Sequence, residues 1–486
     1  MLRHEFNCVK VARVVFRNVI FNFASLVIGN ISGLFLVIII ARILKPEYFG
    51  IYSLTIAIAN VLIAITNLGI DGAVIRYTAY FSKDILRVRS HLRYFLKIKV
   101  FLGFSVSTIL FFVSDKLANV FGDERLALTF AVASLIVVFA SLTNVLNSFF
   151  MGLQKFRYTF FRQIVYEISR WILILPLSIV FLAVGAILGT ALAYLVAFLF
   201  LVIVLLKFYQ EYFVGGVENI SEGVKSFMGF MTIASISGII YAYVDSIMIG
   251  YLLTPTDVGY YRAAYSIVFA IVGLIASLRR VLLPTFTQLS INDINISLER
   301  LVRYSSIIAF PSAFLISYFS RDIVELIYGT DYLNAYYALT FLSFAIIPGA
   351  FNYLVTIFNA KERADISAFI VTSSIILNVV LNYFLIIRMG IAGAAIATVI
   401  SRFFVIALSV FLLFRLFGIA LRASSILKPL ISSLAMLFVL ILLPEPSSLT
   451  VGIMKVVFSG IVYILILFGV RGIVVDDLRY FRDIIK

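Results

Sequence analysis

Ile40-Ala41-Arg42-Ile43-Leu44-Lys45-Pro46-Glu47-Tyr48-Phe49-Gly50-Ile51-Tyr52 closes one long apolar run and opens the next. The pattern returns as Ile249-Gly250-Tyr251-Leu252-Leu253-Thr254-Pro255-Thr256-Asp257-Val258-Gly259-Tyr260-Tyr261, again between two apolar runs. At a spacing of 209 residues, without a gap, Ile40, Leu44, Pro46, Gly50 and Tyr52 fall on identical residues. A turn repeated between hydrophobic helices implies a duplicated helical frame in a membrane.

Composition fixes the setting of that frame. Hydrophobic residues make up 63% of the 486 positions and charged residues 13%, with a mean hydropathy of +1.11. A soluble domain is about 45–50% apolar and about 25% charged, so most of this apolar surface has to face lipid. The net charge of +15 does not imply a nucleic-acid partner, because the basic residues sit in short segments between apolar runs, as the positive-inside bias requires. With Cys8 as the single cysteine, no intramolecular disulfide can form.

A ruler of about 17–25 apolar residues per span gives about fourteen transmembrane helices, the first at 19–41, the eighth at 258–283 and the last at 449–470. The expected fold is an all-α polytopic membrane protein of two pseudo-symmetric six-helix lobes plus two extra C-terminal helices. The expected boundaries are an N-lobe at 1–207, a cytoplasmic linker at 208–225, a C-lobe at 226–418, and helices 13 and 14 with a cytoplasmic tail at 419–486. The linker, long and charged with Gly215-Gly216 at its centre, reads as a hinge. With the N-terminus inside, inside segments carry 29 of the 39 basic residues and outside segments six, which puts both termini in the cytoplasm. Six spans before the linker make the two halves parallel repeats. A second echo agrees: Gly185-Ala186-Ile187-Leu188-Gly189 opens the sixth span and Gly390-Ile391-Ala392-Gly393-Ala394 the twelfth.

No residue pattern points to catalysis. His4 and His91 lie in basic segments, no His/Cys cluster has metal-ligand spacing, and the acidic residues outside the spans are scattered at helix ends. Charges inside apolar runs are the informative set, since each costs about 2.5–3.5 kcal/mol at mid-helix unless paired or wet. Glu167 and Arg170 are one turn apart and can neutralise each other. Lys455 is close enough to a helix end to snorkel. Asp71 and Arg76, at the cytoplasmic end of the second span, suit either a gate pair or a solvated helix end. Asp245 in the seventh span needs a cation or a hydrogen-bonded partner. Asn378 and Asn382 share one helix face, and Thr398 and Arg402 share another. Aspartate, two amides and a hydroxyl can hold a hard ion such as Na⁺ or form an ion-free polar network; the residues alone suit both. Pro176, Pro284, Pro311 and Pro348 are expected kinks.

The stretch 41–52 resembles the first turn of polysaccharide (O-antigen-type) flippases. Two later stretches resemble further signatures of that family: Asp245-Ser246-Ile247-Met248-Ile249-Gly250 with Val258-Gly259-Tyr260-Tyr261-Arg262, and Asn378-Val379-Val380-Leu381-Asn382 with Gly390-Ile391-Ala392-Gly393. The resemblance spans about residues 12–470 and extends to lipid II flippases and multidrug and toxin extrusion transporters. It implies two lobes that rock around a central cavity and move a lipid-linked, pyrophosphate-bearing sugar from the cytoplasmic to the outer leaflet of the cell membrane. Carried over residue by residue, it implies cavity cations at Arg262, Arg402 and Arg76, and a sodium site at Asp245, Asn378, Asn382 and Thr398. Asn382 stands where related flippases often have a second carboxylate, so this site would carry less charge. The last two spans resemble the pair that holds a lipid tail in lipid II flippases. The partners implied are the lipid-linked sugar, membrane lipids, and glycosyltransferases or a polymerase of the same pathway. No cofactor is expected beyond a coupling ion, Na⁺ or H⁺, and the protein is expected to be a monomer. A drug or cation exporter of the same superfamily is the nearest alternative, disfavoured by arginines in the cavity. A membrane polymerase or ligase is the alternative of a different class, disfavoured by the short outside connections.

Overall fold

Helices account for the fold because its segments are long apolar runs, and in lipid only a helix or a closed barrel satisfies every backbone amide. The computed structural model describes residues 2–216, 218, 220, 223–277, 291–444 and 449–473, and among them there is no strand. The chain runs as α1 (Leu2–Asn67), α2 (Ile70–Tyr80), α3 (Ile85–Val120), α4 (Arg125–Gly152), α5 (Phe156–Phe208), α6 (Val224–Leu252) and α7 (Pro255–Ser277). It continues as α8 (Ile291–Tyr318), α9 (Ser320–Tyr328), α10 (Ala335–Leu342), α11 (Ile346–Ala350), α12 (Tyr353–Ala360), α13 (Ala364–Met389), α14 (Ile391–Phe417), α15 (Ser424–Leu442) and α16 (Leu449–Gly469).

Among the described residues, ten helical segments are long and apolar enough to cross a membrane. Two of these, Ala24–Asn67 and Phe156–Phe208, each hold the length of two spans. Each breaks internally, the first at Lys45 (φ 58°, ψ 168°) and the second at Leu182 (φ 50°, ψ −132°). The second break lies six residues past Pro176, and Pro311 lies inside the continuous helix α8. Pro348 stands in α11, one of the short pieces between Ala335 and Ala360. Pro284, the end of the expected span 258–283 and the expected tail beyond 473 lie outside the described residues.

The chain divides into two compact units, Met1–Ala263 and Ala264–Lys486. α6 belongs to the first because it packs against α1 and α2, so this division falls inside α7 rather than along the polar linker. The first unit has a core of Phe95, Phe149, Phe150, Leu201 and Leu205 where α3, α4 and α5 meet. In the second, α13 packs on α14, while α15 packs on α8 and α16.

The described part of the linker is strapped down rather than left free. Arg89 Nε donates to the Glu211 carbonyl (2.8 Å) and its Nη1 to that of Gly216 (3.0 Å). Arg93 reaches the carbonyls of Phe213 (2.8 Å) and Gly215 (2.9 Å), and Ser90 Oγ accepts from the Glu218 amide (2.7 Å). Side chains on α3 thus supply hydrogen-bond partners to this backbone.

The duplication is visible in backbone geometry. Leu182 and Gly390, 208 residues apart, adopt the same conformation, φ 50°, ψ −132° and φ 60°, ψ −138°. Three residues on, Gly185 lies against the Leu177 carbonyl and Gly393 against that of Leu385, so closely that a Cβ on either would overlap it. The sequence echo is therefore one tight reversal used twice, with the following helix folded back onto the preceding one.

Candidate functional site

The repeated stretches meet each other inside the first unit. A Cβ on Gly50 would overlap the Pro255 carbonyl oxygen, and one on Gly259 would overlap that of Pro46. The relation is reciprocal, Pro46 with Gly259 and Pro255 with Gly50, as a local two-fold relation between the copies produces. Glycine at both positions lets backbone touch backbone. One turn further in, Gly250 lies against the Leu54 side chain. Arg125 ties the first copy to the α3–α4 turn: its Nη1 pairs with Glu47 (2.5 Å), and its Nε and Nη2 hold both oxygens of Asp123 (2.9 and 2.8 Å). Those hydrogen bonds hold the Asp123 carboxyl below the ordinary aspartate range.

Asp245, in α6 of the same unit, is buried and accepts a hydrogen bond from the Tyr261 hydroxyl at 2.7 Å. Tyr261 is itself fully buried and is the last residue of the second repeat copy. Arg262, the next residue, stands over the Tyr243 ring at 5.5 Å. Arg76 is exposed and lies over the Phe227 ring at 4.3 Å. The Asp71 partner is Lys99, at 3.2 Å, with Asn67 Oδ1 also accepting from Lys99 Nζ at 3.2 Å. Asp71 thus pairs with Lys99 rather than with Arg76, and of the two only Lys99 is fully buried. Lys99 lies inside α3 with no exposed side-chain surface.

In the second unit, Asn378 and Asn382 on α13 and Thr398 on α14 are all buried. The two amides are brought together, Asn382 Nδ2 donating to Asn378 Oδ1 at 3.1 Å. One turn before Asn378, Ser374 reaches across to the Ser401 carbonyl (2.9 Å). Arg402, partly buried, stands over the Phe269 ring at 4.3 Å. Lys455 does not snorkel. It is buried and donates to the Tyr318 hydroxyl (2.6 Å) and to the Leu443 (3.1 Å) and Pro444 (3.3 Å) carbonyls. The carbonyl groups where α15 ends lack helical partners and suit a cation.

Asp245 and Arg262 therefore belong to the first compact unit, and Asn378, Asn382, Thr398 and Arg402 to the second. Each half places its residues in apolar helices with aromatic or amide neighbours. Among the described residues, no three His, Cys, Asp or Glu side chains form a metal-binding group.

Sequence reasoning reached Glu167–Arg170, which pair at 3.1 Å, but not the network around them. Ser32 on α1 donates to Glu167 Oε2 (2.8 Å), and Trp171 Nε1 donates to Ser32 Oγ (2.9 Å). Gln163 donates to Glu167 Oε1 (2.8 Å), and Arg162 to Gln163 Oε1 (2.6 Å). Positions 162, 166 and 170, with 163 and 167, run one polar seam at helical spacing, a signal readable in the chain once α5 is placed.

A family model described as polysaccharide biosynthesis protein matches residues 15–290. A probable low-salt glycan biosynthesis flippase of Haloferax volcanii is 25% identical over 186 residues, 37% of this chain and 39% of the relative. An uncharacterized membrane protein of Methanocaldococcus jannaschii is 28% identical over 271 residues, 54% of this chain and 53% of the relative. The chain thus spans about half the length, or less, of the curated relatives it matches. Among solved structures, a lipid II flippase in an inward closed conformation superposes with a TM-score of 0.74 at 16% identity, covering 96% of this chain and all of that one. An inward-facing multidrug resistance transporter gives 0.61 at 16% identity, covering 83% of this chain and 95% of that one. At these identities the structures speak for a shared fold.

Proposed function

The chain belongs to the polysaccharide biosynthesis protein family, and on that premise we propose that it is a flippase. It carries a polyprenyl-(pyro)phosphate-linked oligosaccharide from the cytoplasmic to the outer leaflet of the cell membrane by alternating access. The observation that carries this reading is the reciprocal seam at Pro46–Gly50 and Pro255–Gly259. Two copies of one turn that meet backbone to backbone form a contact that can part and re-form as a unit. The notion of an anionic cargo draws on Arg262 and Arg402, cations placed in otherwise apolar helices against aromatic rings. Cations in such positions suit an anionic head group better than a cationic drug. The probable glycan flippase among the relatives supports the same cargo class. No covalent step is involved, and the enzymes that build and consume the lipid-linked sugar are its expected partners.

The coupling ion is proposed in two separately testable parts: Asp245 with Tyr261 in one unit, and Asn378, Asn382 and Thr398 in the other. All their candidate ligands are oxygens, which fits Na⁺ and excludes a soft metal; Asp245 is also the one group of the set able to carry a proton. Proteoliposomes loaded with a fluorescent lipid-linked sugar test the whole. Translocation is expected to fall at least tenfold in Arg262→Ala and Arg402→Ala. Wild-type rates in both variants would overturn the cationic-cavity reading. A Na⁺-dependent rise in melting temperature, lost in Asp245→Asn and Asn382→Ala, would identify the ion, and no dependence on Na⁺ or on pH would remove ion coupling.

A further inference from the structure

We propose that the α1–α5 seam of the first unit is a second, separate binding subsite, and that its ligand is an oxyanion of the carried glycan. The cluster comprises Ser32, Arg162, Gln163, Glu167, Arg170 and Trp171. It rests on the flippase reading for the identity of the cargo, but on its own geometry for the site.

Charge balance is the first reason. Glu167 is 5% exposed, and its two oxygens already accept from Ser32, Gln163 and Arg170. One carboxylate stands against two guanidinium groups, so the cluster carries a net positive charge within the apolar segment Phe156–Phe208. A lone structural pair would be neutral; here Arg162 is added to the pair, and among the described residues its hydrogen bond goes to the neutral Gln163. Membrane-embedded charge of one sign is costly and calls for a counter-charge.

Hydrogen-bond balance is the second. Among the described residues, the Nε atoms of both Arg162 and Arg170 are buried and have no hydrogen-bond acceptor. Two orphaned donors of the same kind, on one helix face and two turns apart, mark a place where acceptors are brought in from outside. The guanidinium fork is built for such oxyanions. Arg170 also lies over the Tyr166 ring at 5.3 Å, and Tyr166 meets Tyr194 at 4.6 Å. Aromatic faces beside planar donors and acceptors are the surface that sugar rings and their substituents fit.

Orientation is the third. Phe161, Ile168 and Ile172, on the opposite side of α5, are 48%, 54% and 64% exposed and suit lipid. The polar seam faces α1 instead. It is not sealed: the Arg170 side chain keeps 14% exposure, which leaves a path for a ligand.

The oxyanion can come from the diphosphate linker or from an acidic sugar, and the two are separable. Binding is measured by calorimetry on the full chain in nanodiscs, with inorganic pyrophosphate, glucuronate and, as neutral control, glucose. One of the two anions is expected to bind, with glucose at least tenfold weaker. Arg162→Gln and Arg170→Gln are each expected to weaken that anion about tenfold. Glu167→Gln is expected to tighten it several-fold, because it removes the competing negative charge; a purely structural role predicts no tightening. Pyrophosphate binding assigns the subsite to the linker and glucuronate binding assigns it to an acidic sugar. If an arginine variant fails to fold, Arg162→Lys together with the salt dependence of wild-type binding decides. No binding of either anion to the wild type, or equal binding in all folded variants, overturns the proposal. Anion binding by a wild-type protein that does not translocate a lipid-linked sugar would instead count against the flippase reading alone.

Discussion

Gly50→Ala tests the reciprocal seam most directly. The new Cβ would overlap the Pro255 oxygen, sit 2.5 Å from its carbonyl carbon and lie 3.1 Å from the Gly259 amide nitrogen. Carbon contacts are comfortable at about 3.5–4.0 Å, so α1 and α7 must separate by roughly 1–2 Å. The atoms in the way are backbone, so no rotamer change relieves the clash. Overpacking of this kind costs about 1–3 kcal/mol. At about 2 kcal/mol, the balance between a joined and a parted seam shifts roughly 30-fold toward the parted one. Gly259→Ala should act alike, since its Cβ meets the Pro46 carbonyl in the mirror position. The double variant should cost clearly less than the sum, because a seam already parted has room for the second methyl. Spin labels at Arg42→Cys and Tyr251→Cys, equivalent positions of the two copies that are both exposed, in a Cys8→Ser background, read the separation. A longer and broader distance distribution is expected in both single variants. Unchanged distances with unchanged melting temperature would refute the reasoning, and with it the idea that this contact is a closure.

Three further outcomes follow from individual contacts. Leu182 holds a positive-φ conformation that its counterpart Gly390 adopts without penalty, so Leu182→Gly should stabilise the protein by about 1 kcal/mol in a detergent melt, whereas Gly390→Leu should destabilise it. Replacing Arg89 and Arg93 together by Ala should release the linker from α3 and raise amide exchange at residues 211–216 by tenfold or more; unchanged exchange would show that the strap contributes nothing. The depressed Asp123 carboxyl adds stability above the ordinary aspartate pKa of about 3.9. That contribution is lost as pH falls through its lower folded-state value. Asp123→Asn should therefore melt lower than wild type at neutral pH, with the difference shrinking as the pH is lowered toward 3.

What this sequence determined by itself was the class of molecule and its duplication. A 63% apolar chain has no way to hide that surface except in lipid, and backbone satisfaction then makes helices obligatory. The repeated Pro and Gly positions are legible because tight turns and backbone contacts admit few residues. The intramembrane charges stand out for the same reason, as rare residues in an apolar background. Which charge meets which was not legible. Asp71 and Arg76 are near neighbours in sequence, yet Asp71 takes Lys99 from the next helix, because a helix aims side chains by its phase and packing rather than by proximity along the chain. Lys455 reads as a snorkelling cation until the open end of α15 comes within reach. The meeting of Gly50 with Gly259, and of Ser32 with Glu167 across 135 residues, belongs wholly to tertiary packing. Local patterns encode helices, turns and faces, whereas the partners of a buried polar group are set only when two helices have chosen their crossing.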